Sequence, residues 1–399
     1  MYVLVCNVGS TSLKFKLYDM PSVEALAEGK IERVGSKNDA IFHYKNCRNG
    51  FSVKLDKQCI TTYTNGIEMY LSYLTGKESG ALESLEVLER VGFKTVLAKG
   101  YYGIHLLSES VLTAMEEYLP IAPVHNSCYL EAIRQFQKIL PNTQLIGAFE
   151  TAFHVAIPKE RRLYGIPYAW YEEYGIQRFG YHGASHGYVA EEIGLKYGPG
   201  QRVISCHLGG SGSICAILDG KSIDNSFGFS LQTGVLHANR VGDMDAYIVP
   251  FLMTQGLTME DILAGLEQNG GLKGISGVSN DLRHLKEAAD KGAERSQLAI
   301  AMFVDGIVRY IGSYYVFLGG LDHLVFTGGI GENDARLRAG VCEKISCLGI
   351  TLDEEINSRT SRYGEPRNVI SSADSSVKVH VIPADEELIV ARKAYEYEL

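Results

Sequence analysis

The sequence predicts an α/β protein built from two related domains. Three observations carry this. The chain has 399 residues, a length at which two domains are expected, and 46% of them are hydrophobic, enough for a large core. Short apolar or alternating runs that read as strands are mixed with helical stretches from one end to the other. A strand–turn–strand pattern near the N-terminus returns 200 residues later. Val3/Val203, Cys6/Cys206, Gly9/Gly209 and Asp19/Asp219 then coincide without a gap, which suggests an internal duplication.

Tyr2 to Cys6 is apolar and reads as a buried strand. Asn7 to Ser12 is a small-residue turn, and Leu13 to Tyr18 alternates (LKFKLY) as a second strand does. In the second copy Val203 to Cys206 is the strand, His207 to Ser213 the turn, and Ile214 to Leu218 the returning strand. Leu145 to Phe149 reads as a strand ending at Glu150. His186 to Lys196 reads as a helix stopped by Gly-Pro-Gly at 198–200. Residues 292–318 form a long helix, apolar on most sides, that belongs between elements or subunits. Leu324 to Thr327 is a strand, Gly328 to Asn333 a turn opening a helix, Val377 to Ile382 a strand, and a last helix follows Pro383. The boundary between domains falls near residue 150, without a Pro/Ser-rich linker.

Several function classes are excluded. With 38 Lys+Arg against 47 Asp+Glu the net charge is −9, unsuited to broad nucleic-acid or anionic-membrane binding. No uninterrupted apolar run approaches the ~18–20 residues of a membrane span. MYVLVCNVGS lacks the basic start of a signal peptide. The eight cysteines form no C-x-x-C pair and are too sparse for a disulfide framework, which points to reduced thiols and a cytoplasmic enzyme.

The usual nucleotide fingerprints are missing. Gly220-Lys221-Ser222 comes nearest to G-x-x-x-x-G-K-[ST], but position 215 is Cys. Gly210-Ser-Gly212 and Gly329-Ile-Gly331 both lack the third glycine of G-x-G-x-x-G. Three small-residue turns after strands remain, at Gly9–Ser12, Gly209–Ser213 and Gly328–Gly331. Each is either an ordinary turn or a place where backbone N–H groups approach a phosphate. His182 and His186 are four apart. Gly183 stands where a zinc protease has Glu, so they read as a polar loop with one helix-start histidine. Arg240, in HANRVGDMD, is either a surface salt-bridge partner or a forked clamp for an anion. Glu386 and Glu387 start the last helix, as capping acids do, and Asn7 lies in the first turn.

Taken together, these residues resemble the acetate kinase family of acetate/propionate kinases, in the actin–sugar kinase–heat-shock ATPase superfamily. Asn7-x-Gly-Ser-x-Ser-Leu-Lys14, PIAPVHN (120–126), FETAFH (149–154), RFGYHGASH (178–186), CHLGGSGS (206–213), GISGVSNDLR (274–283), FTGGIGEN (326–333) and IPADEEL (382–388) recur in family order nearly end to end. The resemblance implies a duplicated actin-like (ribonuclease H-like) fold, two mixed sheets flanked by helices with a cleft between domains. The domains expected are 1–150, completed by a helix at 384–399, and 151–383. It also implies a homodimer, with no nucleic-acid or membrane partner, that phosphorylates a short-chain carboxylate with ATP and Mg²⁺, or Mn²⁺ in its place.

By the same resemblance Asn7 and Glu386 hold the metal, while Glu150, His182, Arg240 and Lys94 serve the phosphoryl transfer. Ser10, Ser12, Lys14, His207, Gly209, Gly210, Ser211 and Gly212 approach phosphates, and Asp281, Leu282, Arg283, Gly329, Ile330, Gly331 and Asn333 border the adenosine. The departures from the family pattern are specific. H-R-V-V-H-G-G is replaced by Phe93-Lys94-Thr95-Val96-Leu97-Ala98-Lys99, so Lys94, or else Lys99, stands for an arginine and both histidines are gone. Glu150 replaces an Asp, Gly210 an Asn, and His-Ala-Asn precedes Arg240 in place of Met-Gly-Thr. These changes leave open a different acid, pyrophosphate as donor, or a non-catalytic nucleotide-binding paralogue.

Overall fold

The N-terminal hairpin sets the pattern of the molecule. In the computed structural model, which describes residues 1–9, 11–364 and 369–398 apart from the side chains of 123–125, β1 (Tyr2–Gly9) runs antiparallel to β2 (Ser12–Asp19). The meander continues through β3 (Glu24–Glu32), β4 (Ser36–Asn46) and β5 (Ser52–Ile60). On the other side of β1 lie β6 (Leu88–Phe93) and then β8 (Gln144–Ala148), both parallel, with β7 (Ile104–Leu106) antiparallel at the edge. The sheet order is β5-β4-β3-β2-β1-β6-β8-β7.

A second sheet contains β9 (Arg202–Leu208), β10 (Gly212–Leu218), β11 (Lys221–Asn225), β12 (His323–Thr327) and β13 (Lys378–Val381) in the order β11-β10-β9-β12-β13. Its antiparallel and parallel pairings repeat those of β3-β2-β1-β6-β8. The duplication suggested by the offset of 200 is therefore present in the topology.

The chain divides into two compact units, Met1–Ala152 with Asp385–Leu399, and Phe153–Ala384. In the first, the C-terminal helix Glu386–Glu396 packs Val390, Ala391 and Ala394 against Val3, Val5 and Ile146. Gly92 on β6 permits this approach: a Cβ there would stand 2.9 Å from Val390 Cγ1. In the second unit, the helix Glu294–Leu318 buries Phe303, Ile307, Ile311 and Tyr314 against Ile204, Cys206 and Phe326. Each such side chain contributes roughly 1.5–3 kcal/mol. That helix is long and apolar enough, by length and composition, to cross a membrane; here the face just described lies in the core of its unit.

Three local expectations change. Asn7 and His207 were expected in turns but lie on strands, Asn7 opposite Lys14 and His207 opposite Ser213, because ladder pairing continues to the tight turns beyond them. The helix expected from His186 begins at Gly183, with His182 at its N-cap in the left-handed region (φ 58°). The segment Gly328–Asn333 is itself a short helix, and Asp334 caps the next one, Ala335–Lys344, by accepting from Leu337 N–H.

Candidate active site

In the first unit, three elements converge at the carboxyl ends of the parallel strands. Lys94 directly follows β6, Glu150 follows β8 by two residues, and Glu386 opens the C-terminal helix behind its N-cap, Asp385. The Glu150 N–H donates to the Thr95 carbonyl at 2.8 Å, which ties the two strand ends together. The Lys94 ammonium lies 2.8 Å from Glu150 Oε1 and 2.7 Å from Glu386 Oε2. Glu150 is 5% exposed and Lys94 18%. Burial alone would lower the lysine pKa, but Glu150 and Glu386 hold it well above the ordinary value, so the ammonium stays charged. Beside this triad the Tyr129 hydroxyl donates to Asn7 Oδ1 at 3.2 Å and accepts from Val8 N–H. Ser12 begins β2, Lys14 is exposed on it, and Ser10 lies outside the described residues. Lys99 lies apart, paired with Glu117 at 2.8 Å on the surface.

In the second unit, His182 is held through its Nδ1, 2.9 Å from Ser213 Oγ. Ser213 also contacts His186 Nε2 at 2.8 Å, and His186 Nδ1 contacts Ser205 Oγ at 2.9 Å. Burial keeps His186 well below the usual histidine pKa, so His186 is neutral. The His182 ring lies over His207, centroids 4.1 Å apart, and meets the edge of Phe227.

Arg240 sits in the loop after His237. That loop is anchored by Ala238 N–H to the Gly210 carbonyl and by Leu272 N–H to the His237 carbonyl. Gly271 (φ 62°) must be glycine, since a Cβ would stand 2.3 Å from the His237 oxygen. Gly212 N–H donates to His237 Nδ1, so Nε2 carries the proton and donates to the Thr233 carbonyl. The Arg240 guanidinium is half-buried and, among the described residues, has no hydrogen-bond or ion-pair partner. Burial pushes its pKa down to about 10, against a weak pull from Glu267.

A cavity of about 920 Å³ lies in the same unit, lined by Gly209, Gly210, Asp281, Leu282, Arg283, Gly329, Ile330 and Asn333 among others. It gathers segments more than a hundred residues apart. Asp281 caps the helix Leu282–Asp290 and pairs with Arg283 at 2.6 Å, which holds its carboxyl down at about 2. His207, Ser211, Gly212 and Gly331 do not line the cavity; Gly331 is buried and its carbonyl accepts from Arg338. Tyr363 and the ion pair Lys286–Asp334 line it with no motif to mark them, whereas Asn280 lies in GISGVSNDLR and Ala238 in HANRVGDMD without having been singled out.

Residues 2–392 match the family model described as the Acetokinase family. The chain belongs to this family. It is 42% identical over 396 residues to an acetate kinase of Bacteroides thetaiotaomicron, covering 98% of each chain. Among solved structures, it matches acetate kinase of Porphyromonas gingivalis with TM-score 0.86 and 35% identity, over 99% of this chain and 98% of that one. It matches a propionate kinase of Francisella tularensis with TM-score 0.89 and 31% identity over the whole of both. The chain thus has the duplicated actin-like fold of acetate and propionate kinases, and as an acetokinase it is a carboxylate kinase that uses ATP.

Acetokinase membership also implies a divalent metal, for which the sequence marks Asn7 and Glu386. Their oxygens suit a hard cation in kind. The arrangement does not suit one as it stands, because the Lys94 ammonium already bridges Glu386 and Glu150; the Asn7 oxygen accepts from Tyr129 and keeps a second lone pair. An ion on the Glu386 oxygens would lie within about 5 Å of the ammonium, a repulsion of roughly 7 kcal/mol at an effective dielectric near 20. Among the described residues no three His, Cys, Asp or Glu side chains form a metal-holding group.

Proposed function

We propose that the chain is an acetate kinase, transferring the γ-phosphoryl of ATP to acetate to give acetyl phosphate and ADP, and running in reverse because an acyl phosphate is itself a phosphoryl donor. The observation that carries this reading is Arg240, a half-buried guanidinium with no partner among the described residues, held by a braced loop and ready for an anion. A curated acetate kinase at 42% identity and a curated propionate kinase at 38% stand close together, so the choice of acetate rests on the acid panel below.

Acetate is ionised at neutral pH, so its oxygen attacks phosphorus without a strong base. The new C–O–P linkage forms as the bond from γ-phosphorus to the β–γ bridging oxygen breaks, and that electron pair leaves with ADP. Catalysis then consists of positioning and charge stabilisation. In this reading Arg240 takes the equatorial oxygens and His182 donates a hydrogen bond to them, oriented by Ser213. Gly209 and Gly210 face the phosphates, and Asp281–Arg283 with Gly329, Ile330 and Asn333 the adenosine. Lys94 positions Glu150. The divalent ion arrives as part of the metal–ATP substrate.

The test is hydroxamate trapping of acyl phosphate with acetate, propionate and butyrate, first with ATP and then with pyrophosphate. Acetate with ATP gives product with kcat/KM about tenfold above propionate, the size of effect one methylene has in a pocket. Equal or higher kcat/KM for propionate, or product only with pyrophosphate, overturns the assignment.

A homodimer is part of the same proposal. It is supported by exposed apolar side chains on two segments, Tyr247, Ile248 and Phe251 on one and Val316 and Phe317 on the other. Sedimentation equilibrium is expected to give twice the 43.9 kDa chain mass, and Phe251→Asp to lower it. A wild-type mass of one chain at micromolar concentration removes the dimer.

A further inference from the structure

Lys94 and Glu150 depart from the family pattern together. Lysine gives up the length and fork of arginine, while glutamate gains one methylene over aspartate, and the two groups meet at 2.8 Å. The same ammonium also meets Glu386 at 2.7 Å, so one cation serves two carboxylates that are little exposed. Among the described residues, two nearby groups are turned elsewhere. Asp385 turns to Lys16 at 3.3 Å, and Tyr129 donates to Asn7. These three side chains by themselves sum to −1, where the two carboxylates without the ammonium would sum to −2.

We propose that Lys94 is the resident cation of the Glu150–Glu386 pair, so that the nucleotide-free protein has no divalent-metal site there and acquires one when the charge of Lys94 is removed. Metal then reaches this enzyme only as the nucleotide complex. The inference rests on taking Glu386 as the position the family uses for metal, and its readout is metal binding rather than turnover. A failure of the acid panel on the wild type therefore leaves it separately testable.

The experiment is a Mn²⁺ titration of the full chain without nucleotide, followed by the electron paramagnetic resonance signal of free Mn²⁺. Four proteins are compared: wild type, Glu386→Gln, Lys94→Met, and the Lys94→Met/Glu386→Gln double variant. Wild type and Glu386→Gln are expected to give the same weak isotherm. Lys94→Met binds one Mn²⁺ per chain at least tenfold more tightly, and the double variant loses that site. A tight wild-type site that Glu386→Gln abolishes overturns the proposal. So does a Lys94→Met protein that melts cooperatively and gains no binding. If Lys94→Met does not fold, the wild-type and Glu386→Gln isotherms decide the question: coincidence supports the proposal and a wild-type-specific tight site refutes it.

Discussion

Replacing Arg240 with alanine lowers kcat about a thousandfold while leaving the protein as stable as before or slightly more so. The rate effect follows from the chemistry, since a guanidinium on the equatorial oxygens of a transferring phosphoryl group contributes factors of about 10³–10⁵. A thousandfold loss corresponds to about 4 kcal/mol of transition-state stabilisation. The stability effect follows from the surroundings. A group whose charged form lacks hydrogen-bond or ion-pair partners among the described residues and whose pKa is pushed down to about 10 by burial costs folding free energy at neutral pH. Below its folded pKa the arginine must carry its charge in a poor environment, so removing it relieves about 1–2 kcal/mol once solvent screening is allowed for. ATP affinity is expected to change little, because Arg240 is not among the residues lining the cavity proposed for the nucleotide. Arg240→Lys restores charge without the fork and recovers a minor part of the rate. Steady-state kinetics beside urea denaturation checks both halves. A loss of kcat below tenfold, or a destabilisation of several kcal/mol, would show that Arg240 is a structural residue.

The same contrast explains what the sequence made legible. Both hairpins were readable because an apolar run, a small-residue turn and an alternating run follow one another within twenty residues, in β1–β2 and again in β9–β10. Their ends were misplaced because Asn7 and His207 are polar, and polarity reads as turn, whereas the ladder is set by backbone pairing. The glycine-rich turns and Asp281–Arg283 stood out as motifs, yet nothing local said that they line one cavity. Their convergence depends on β9 and β12 lying side by side with paired residues 120 apart in sequence, as His323 is from Val203. Pairings across long separations were invisible. Lys94 and Glu386 are 292 residues apart, and Lys286 and Asp334 are 48 apart. The sequence marked Lys94 as a departure, but its engagement with two carboxylates appears only once β6, β8 and the last helix are placed together. Sites of this kind are where local rules and native structure part company, because the residues are arranged for charge rather than for packing.

Arg338 is the residue that sequence reading missed most completely, and Arg338→Met is expected to destabilise the protein by about 3 kcal/mol and weaken ATP binding about tenfold. In RLRAG nothing distinguishes it from a solvent-facing arginine on the helix Ala335–Lys344, yet it is fully buried. Its guanidinium donates to the carbonyls of Gly331, Glu332, Asn357 and Thr360 and to Asn357 Oδ1, at 2.9–3.0 Å. Two of those carbonyls belong to the short helix Gly328–Asn333, which presents Gly329, Ile330 and Asn333 to the cavity proposed for the nucleotide, so the arginine braces the cavity-facing segment from behind. Methionine fills similar space but strands several buried acceptors, each costing about 1–3 kcal/mol. Part of that loss is offset, because burial already pushes the arginine pKa down to about 10 and the charge is costly to keep inside. Lysine does not rescue, since one ammonium has three donors and no planar fork to reach five acceptors. The readouts are the urea midpoint and ATP affinity by calorimetry, measured with acetate turnover at saturating ATP. The bracing role requires ATP affinity to fall while saturated kcat changes only a few-fold. Unchanged affinity in a destabilised variant would confine Arg338 to the core.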